Sequence, residues 1–97
     1  MKNKDLLAIA KEFGAPVYVY DADKIKSQYE RLSTAFSNVP HLKLNYAVKA
    51  LSNISVLRLM NSLGAGLDTV SIQEVELGLA AGFEASDIIF TPNGVSL

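Results

Sequence analysis

The sequence predicts an α/β fold built on a parallel sheet. From Leu42 onward, segments of strand character alternate with segments of helical period in the order strand, helix, strand, helix, strand. Glycines close the helical stretches at Gly14, Gly64 and Gly82, where a C-terminal cap is favoured. The strands start roughly 20–24 residues apart, the rhythm of βαβ units with right-handed crossovers.

Each element has a local reason. Residues 4–13 form a short helix with Leu6, Ala10 and Phe13 on one face, ended by Gly14 and Pro16. "PVYVYD", 16–21, is rich in β-branched and aromatic residues and reads as a strand. Asp21 or Asp23 caps the next helix, 23–36, whose apolar stripe is Ile25, Tyr29, Leu32 and Phe36. "SNVPH" is a loop, and "LKLNYAVK", 42–49, is a strand. Alternation sets Leu42, Leu44, Tyr46 and Val48 against Lys43, Asn45, Ala47 and Lys49. A helix over 53–63, a strand over 66–70, a helix over 71–82 and a strand over 87–91 follow, and "PNG" is a turn. The chain stops just after a strand with no helix to cover it, which reads as a piece of something longer.

Composition narrows the function. The 97 residues suffice for one small core, and 49% hydrophobic with 20% charged residues is ordinary for a globular protein. Net charge is −1 with scattered basic residues, so nucleic acid is not an expected partner. Cysteine is absent, which excludes disulfides and thiolate metal sites and fits the cytoplasm; a single histidine, His41, excludes a multi-histidine metal site. The apolar run Leu6–Ala10 is shorter than a signal peptide's core, and nothing approaches a membrane span.

Two parallel architectures stay open: a doubly wound sheet and a (β/α)8 barrel. "GAG" at 64–66 precedes a strand instead of following one, so no dinucleotide fingerprint is present, nor is a phosphate-cradling P-loop. The row Asn45, Ala47 and Lys49 mixes small and polar groups, as a barrel interior with catalytic groups at strand ends does. Lys49 is the leading chemical candidate. A lysine in a partly dry pocket loses basicity, and its neutral amine attacks an aldehyde to form a Schiff base. A strand-end lysine whose head reaches water is the plain alternative. Asp68 shares a row with Gly66 and Val70; a carboxylate there is either part of a site or simply solvated or paired. Ser71 and Glu74 form a capping box, with the carboxylate returning to the Ser71 N–H. His41 belongs to a surface loop, and Tyr18, Tyr20, Tyr29 and Tyr46 are packing residues with polar tips.

"GAPVYVYD", "NYAVKALSN", "GLDTVSIQEVELGLAAGF" and "IIFTPNGVS" together resemble the N-terminal part of the diaminopimelate decarboxylase family, among the alanine-racemase-like, fold-type III pyridoxal-phosphate enzymes. The resemblance runs from about Gly14 to Leu97. It implies a barrel of which this chain holds the first three strands (22–97). It also implies an N-terminal helix and strand (1–21) that join a C-terminal β domain. The cofactor implied is pyridoxal 5'-phosphate, held covalently by the lysine of "YAVKA", here Lys49, with Asp68 nearby. A glutamate matching Glu74 also lies near that lysine in relatives. The implied reaction is decarboxylation of meso-diaminopimelate to L-lysine by a homodimer, with no nucleic acid or membrane partner. Relatives acting on ornithine, arginine or carboxynorspermidine, and a non-catalytic pyridoxal-phosphate-binding regulator, are the alternatives. Two positions depart from the pattern: Leu51 stands where relatives often have asparagine, and "TPNG" where they often have "HGN". The 97 residues are not expected to act alone, since a barrel takes ~250 residues, and exposed strand edges would favour aggregation.

Overall fold

The structure, a computed structural model, describes residues 2–92. Its elements are α1 (Asn3–Phe13), α2 (Ala22–Ala35), β1 (Asn45–Ala47), α3 (Ile54–Ser62), β2 (Gly66–Thr69), α4 (Ile72–Ala80) and β3 (Ile88–Phe90). Two 3-10 turns lie at Val48–Ala50 and Ala85–Asp87. The "PNG" turn extends outside the described residues.

The strands are parallel and stand in sequence order, β1-β2-β3. The crossover helices α3 and α4 pack on each other, and the core lies between them and the sheet. Val48, Leu57 and Leu67 are fully buried there, with Val56, Met60, Ala65, Ala81 and Phe83 around them. The opposite sheet face carries Asn45, Ala47, Gly66 and Asp68. Sequential winding of this kind occurs in a barrel and in the first half of a dinucleotide-binding sheet. The small and polar residues on that second face suit a barrel interior whose functional groups lie at the strand ends.

Caps explain where the helices begin. Asn53 Oδ1 accepts the N–H groups of Ser55 (2.9 Å) and Val56 (3.2 Å) at the start of α3. Gly14, with φ of 88°, ends α1 by donating its N–H to the Ala10 carbonyl at 2.9 Å. Asp21 Oδ1 accepts from the N–H groups of Asp23 (3.1 Å) and Lys24 (3.2 Å) at the start of α2. The Lys24 N–H chiefly holds the Asp21 carboxyl below the ordinary aspartate value. A carboxyl depressed in the folded state stabilises above its unfolded pKa, about 3.9, and that contribution is lost as pH falls through the folded value. Asp21→Asn should therefore flatten the acid limb of the stability profile below about pH 4, read by urea midpoints across pH. An unchanged acid limb would refute the linkage.

Three expectations are corrected. Residues 16–21 form no strand: they pair with no neighbour among the described residues, and propensity without a ladder partner does not make a sheet. Tyr18 (89% exposed) and Tyr20 (48%) on that segment are not packing residues, whereas Tyr29 and Tyr46 do pack against the core. The strand expected over 42–49 shrinks to Asn45–Ala47, and Lys49 falls in the 3-10 turn after it. Helices α1 and α2 bury no residue completely; α2 reaches the core through Ile25 and Tyr29. The radius of gyration, 16.0 Å, exceeds the ~13 Å of a compact 100-residue domain accordingly.

Candidate active site

The face away from α3 and α4 is chemically polarised. Register places Asn45 beside Gly66, and Ala47 beside Asp68, which in turn faces Ile89. At the amino ends of the strands this face is closed. A Cβ on Gly66 would overlap Asn45 Oδ1 and lie 2.8 Å from the Asp87 carbonyl oxygen, so only glycine lets Asn45 lie across β2. Lys43 Nζ and Asp87 Oδ1 pair at 3.1 Å beside it. At the carboxyl ends the face opens onto Ala47, Asp68, Thr91 and the turn bearing Lys49.

Lys49 is exposed and makes no hydrogen bond or ion pair with the described residues. The side chains of the described residues form no dry pocket around it. Its backbone is held on both sides. Val48 is fully buried before it. After it, Leu51 donates its N–H to the Val48 carbonyl at 3.1 Å, and the Leu51 carbonyl accepts the Tyr46 hydroxyl at 2.9 Å. Tyr46 thus spans the turn from strand to exit. Burial, and secondarily Tyr20, push its phenol above the ordinary tyrosine value, so it stays a donor through neutral and mildly alkaline pH.

Asp68 is half-buried, and its Oδ1 accepts the Thr91 hydroxyl at 2.7 Å. Thr91 also donates its N–H to the Thr69 carbonyl at 2.8 Å, which continues the β2–β3 pairing one step past the strand. Thr69, fully buried on the other face, satisfies its hydroxyl on the Ile89 carbonyl at 2.9 Å. Sequence reading singled out Asp68 and passed over Thr91. Alternation carried two residues past Ile89 would have set Thr91 on the Asp68 side.

Glu74 caps. Ser71 Oγ accepts the Glu74 N–H at 3.2 Å, as the motif implies, but Glu74 Oε1 accepts from the Val70 N–H (2.8 Å), not from Ser71. The carboxylate therefore reaches one residue further and clasps the end of β2. His41 is exposed in the loop before β1, at the strands' amino side, with φ of 59°. A groove of about 510 Å³ along the free edge of β1, lined by Ile25, Tyr29, Leu32, Leu44, Tyr46 and Met60 among others, is almost wholly apolar. No carboxylate or histidine lines it. Among the described residues no group of acids and histidines could hold a metal, and no helix is long and apolar enough to cross a membrane.

A lysine just past the first strand and a carboxylate on the next strand thus lie toward the carboxyl face of a parallel sheet. Residues 22–96 match the family described as pyridoxal-dependent decarboxylase, pyridoxal binding domain, and the chain belongs to it. It is 47% identical over 89 residues to the diaminopimelate decarboxylase of Pseudomonas fluorescens, covering 92% of this chain. It is 45% identical over 83 residues to that of Haemophilus influenzae, covering 86% of this chain. It spans about a fifth of each relative's length (21% and 20%). Among solved structures, a lysine/ornithine decarboxylase from Vibrio vulnificus complexed with putrescine superposes with a TM-score of 0.85 at 33% identity. That match covers 96% of this chain and 25% of the other. A diaminopimelate decarboxylase from M. jannaschii in complex with L-lysine gives 0.84 at 31%, covering 91% and 21%. These likenesses settle the architecture as the first part of a fold-type III decarboxylase barrel.

The residues present fit pyridoxal phosphate, the cofactor of this family. The donor set supplies an exposed primary amine, a carboxylate engaged by the Thr91 hydroxyl, and a neighbouring position kept small by Ala47.

Proposed function

We propose that the whole protein is a diaminopimelate decarboxylase, converting meso-diaminopimelate to L-lysine and carbon dioxide. Lys49 is the covalent attachment point of the cofactor and Asp68 lies against it. Bound there, pyridoxal phosphate supplies the electron sink that lets the substrate's α-carboxylate leave. The chain's own residues do the positioning. Tyr46 and Val48 fix the turn that presents the amine, and Asp68 sets a negative charge at the level of Ala47. The observation that carries this reading is the register: Ala47 stands opposite Asp68, so the turn bearing Lys49 begins one residue beyond the Asp68 level.

The active protein is a cytoplasmic homodimer in this reading. Residues 1–21, whose Phe13, Val17 and Tyr18 are exposed, dock on a β domain, while 22–97 begin the barrel; the start of the family match at residue 22 supports that boundary. The second reading is a lysine or ornithine decarboxylase, favoured by the likeness to the Vibrio vulnificus enzyme. Offering the full-length enzyme meso-diaminopimelate, L-lysine, ornithine, arginine and carboxynorspermidine separately distinguishes them. Carbon dioxide with stoichiometric L-lysine from the first alone is the expected result; cadaverine from L-lysine or putrescine from ornithine at a higher kcat/KM would replace it with the second reading.

A further inference from the structure

We propose that Thr91 is a positioning residue that fixes the Asp68 carboxylate for its role beside the cofactor. The inference rests on the reading that Asp68 lies at the cofactor, and it deepens that reading. Thr91 follows β3 directly, and its N–H bond to the Thr69 carbonyl holds its backbone on the β2 ladder. The side chain is therefore delivered by the sheet and not by a wandering loop. A threonine hydroxyl has one proton to give. Two acceptors are in range: Asp68 Oδ1 at 2.7 Å and the Thr69 carbonyl oxygen at 3.3 Å. The shorter contact is the charge-assisted one and takes the proton. A β-branched side chain has restricted χ1, so the hydroxyl direction is held by sterics as well.

Among the described residues no other side chain donates to Asp68. With its backbone in β2 and one oxygen engaged by Thr91, the carboxylate has a fixed plane, and its second oxygen is left for a partner at the strand mouth. On the same face the neighbours are Ala47, which offers no polar group, and Ile89, which is apolar. The titratable groups at that end are Lys49, Asp68 itself and Glu74, whose Oε1 is engaged by the Val70 N–H at 2.8 Å, so the direction of the Asp68 carboxylate contributes to the local field there.

The full-length holoenzyme tests this with Thr91→Val, Thr91→Ser and Asp68→Asn. Valine keeps the shape and removes the hydroxyl; serine keeps the hydroxyl. In T91V the pH midpoint of the bound cofactor's absorption band should move by about half a unit or more. Its kcat should fall about 3–10-fold with KM changed less than about twofold, and T91S should restore both. A cap or packing role alone would lower thermal stability without moving the absorption midpoint. If D68N moves the midpoint and T91V does not, or if T91S behaves like T91V, the Thr91 inference is overturned while the site reading stands. If D68N itself leaves midpoint and kcat unchanged, Asp68 is not at the cofactor and both fall.

Discussion

Lys49→Ala in the full-length protein is expected to abolish covalent cofactor attachment and to lower decarboxylation by about 10³-fold or more. Borohydride reduction of the loaded wild-type enzyme, followed by peptide mapping, should find the cofactor on the peptide containing Lys49. Lys49→Arg separates charge from nucleophilicity. A guanidinium keeps a positive charge at position 49 but stays protonated and does not add to an aldehyde. The arginine variant should therefore be as inactive as the alanine variant, although it retains any non-covalent affinity that depends on charge. Because Lys49 is exposed and unpaired among the described residues, neither change should disturb the fold. An equal melting temperature alongside lost attachment is the expected pair of results. Cofactor recovered on a different lysine, or an active K49R enzyme, would remove Lys49 from the site.

Much of this arrangement was legible because it is local. Ser71 caps its helix as read, Asp21 is the one of the two candidate aspartates that caps α2, and Asn53, read as the first residue of its helix, caps α3 through chemistry that acts within one turn. Gly64 and Gly82 sit at positive φ where the helices end. Lys49 and Asp68 were recognisable as strand-end groups, since alternation and Gly64 place them. What failed depended on partners distant in sequence. "PVYVYD" has strand propensity but no neighbour to pair with among the described residues. The strand ending in Lys49 was expected to run to its lysine. The turn replaces its last residues because the Tyr46 hydroxyl and the Val48 carbonyl both bind Leu51, a contact that periodicity does not encode. Thr91 escaped notice for the same reason: its meaning lies in a residue of another strand, twenty-three positions away.

The largest stability effect is expected at Leu67, whose side chain is fully buried on the helix side of β2, directly behind Asp68. Leu67→Ala should destabilise the barrel domain by about 2–5 kcal/mol, since it removes transfer energy and leaves a cavity. Gly78 on α4 shows why that site cannot simply collapse. A Cβ there would lie 2.6 Å from Leu67 Cδ1 and 3.3 Å from Ile88 Cδ1. Helix and sheet are thus already as close as a glycine permits. Gly78→Ala alone brings two opposed effects: a gain of about 1 kcal/mol in helix propensity and an overpacking cost of about 1–3 kcal/mol. In the Leu67→Ala background the clash with Leu67 disappears, and the new methyl occupies part of the cavity. Gly78→Ala should then become stabilising, with a coupling of at least about 1 kcal/mol in a double-mutant cycle measured by urea unfolding of the full-length protein. Additivity within about 0.5 kcal/mol would mean that α4 does not seat on Leu67. The helix would then not be what holds β2, and with it the Asp68 carboxylate, in place.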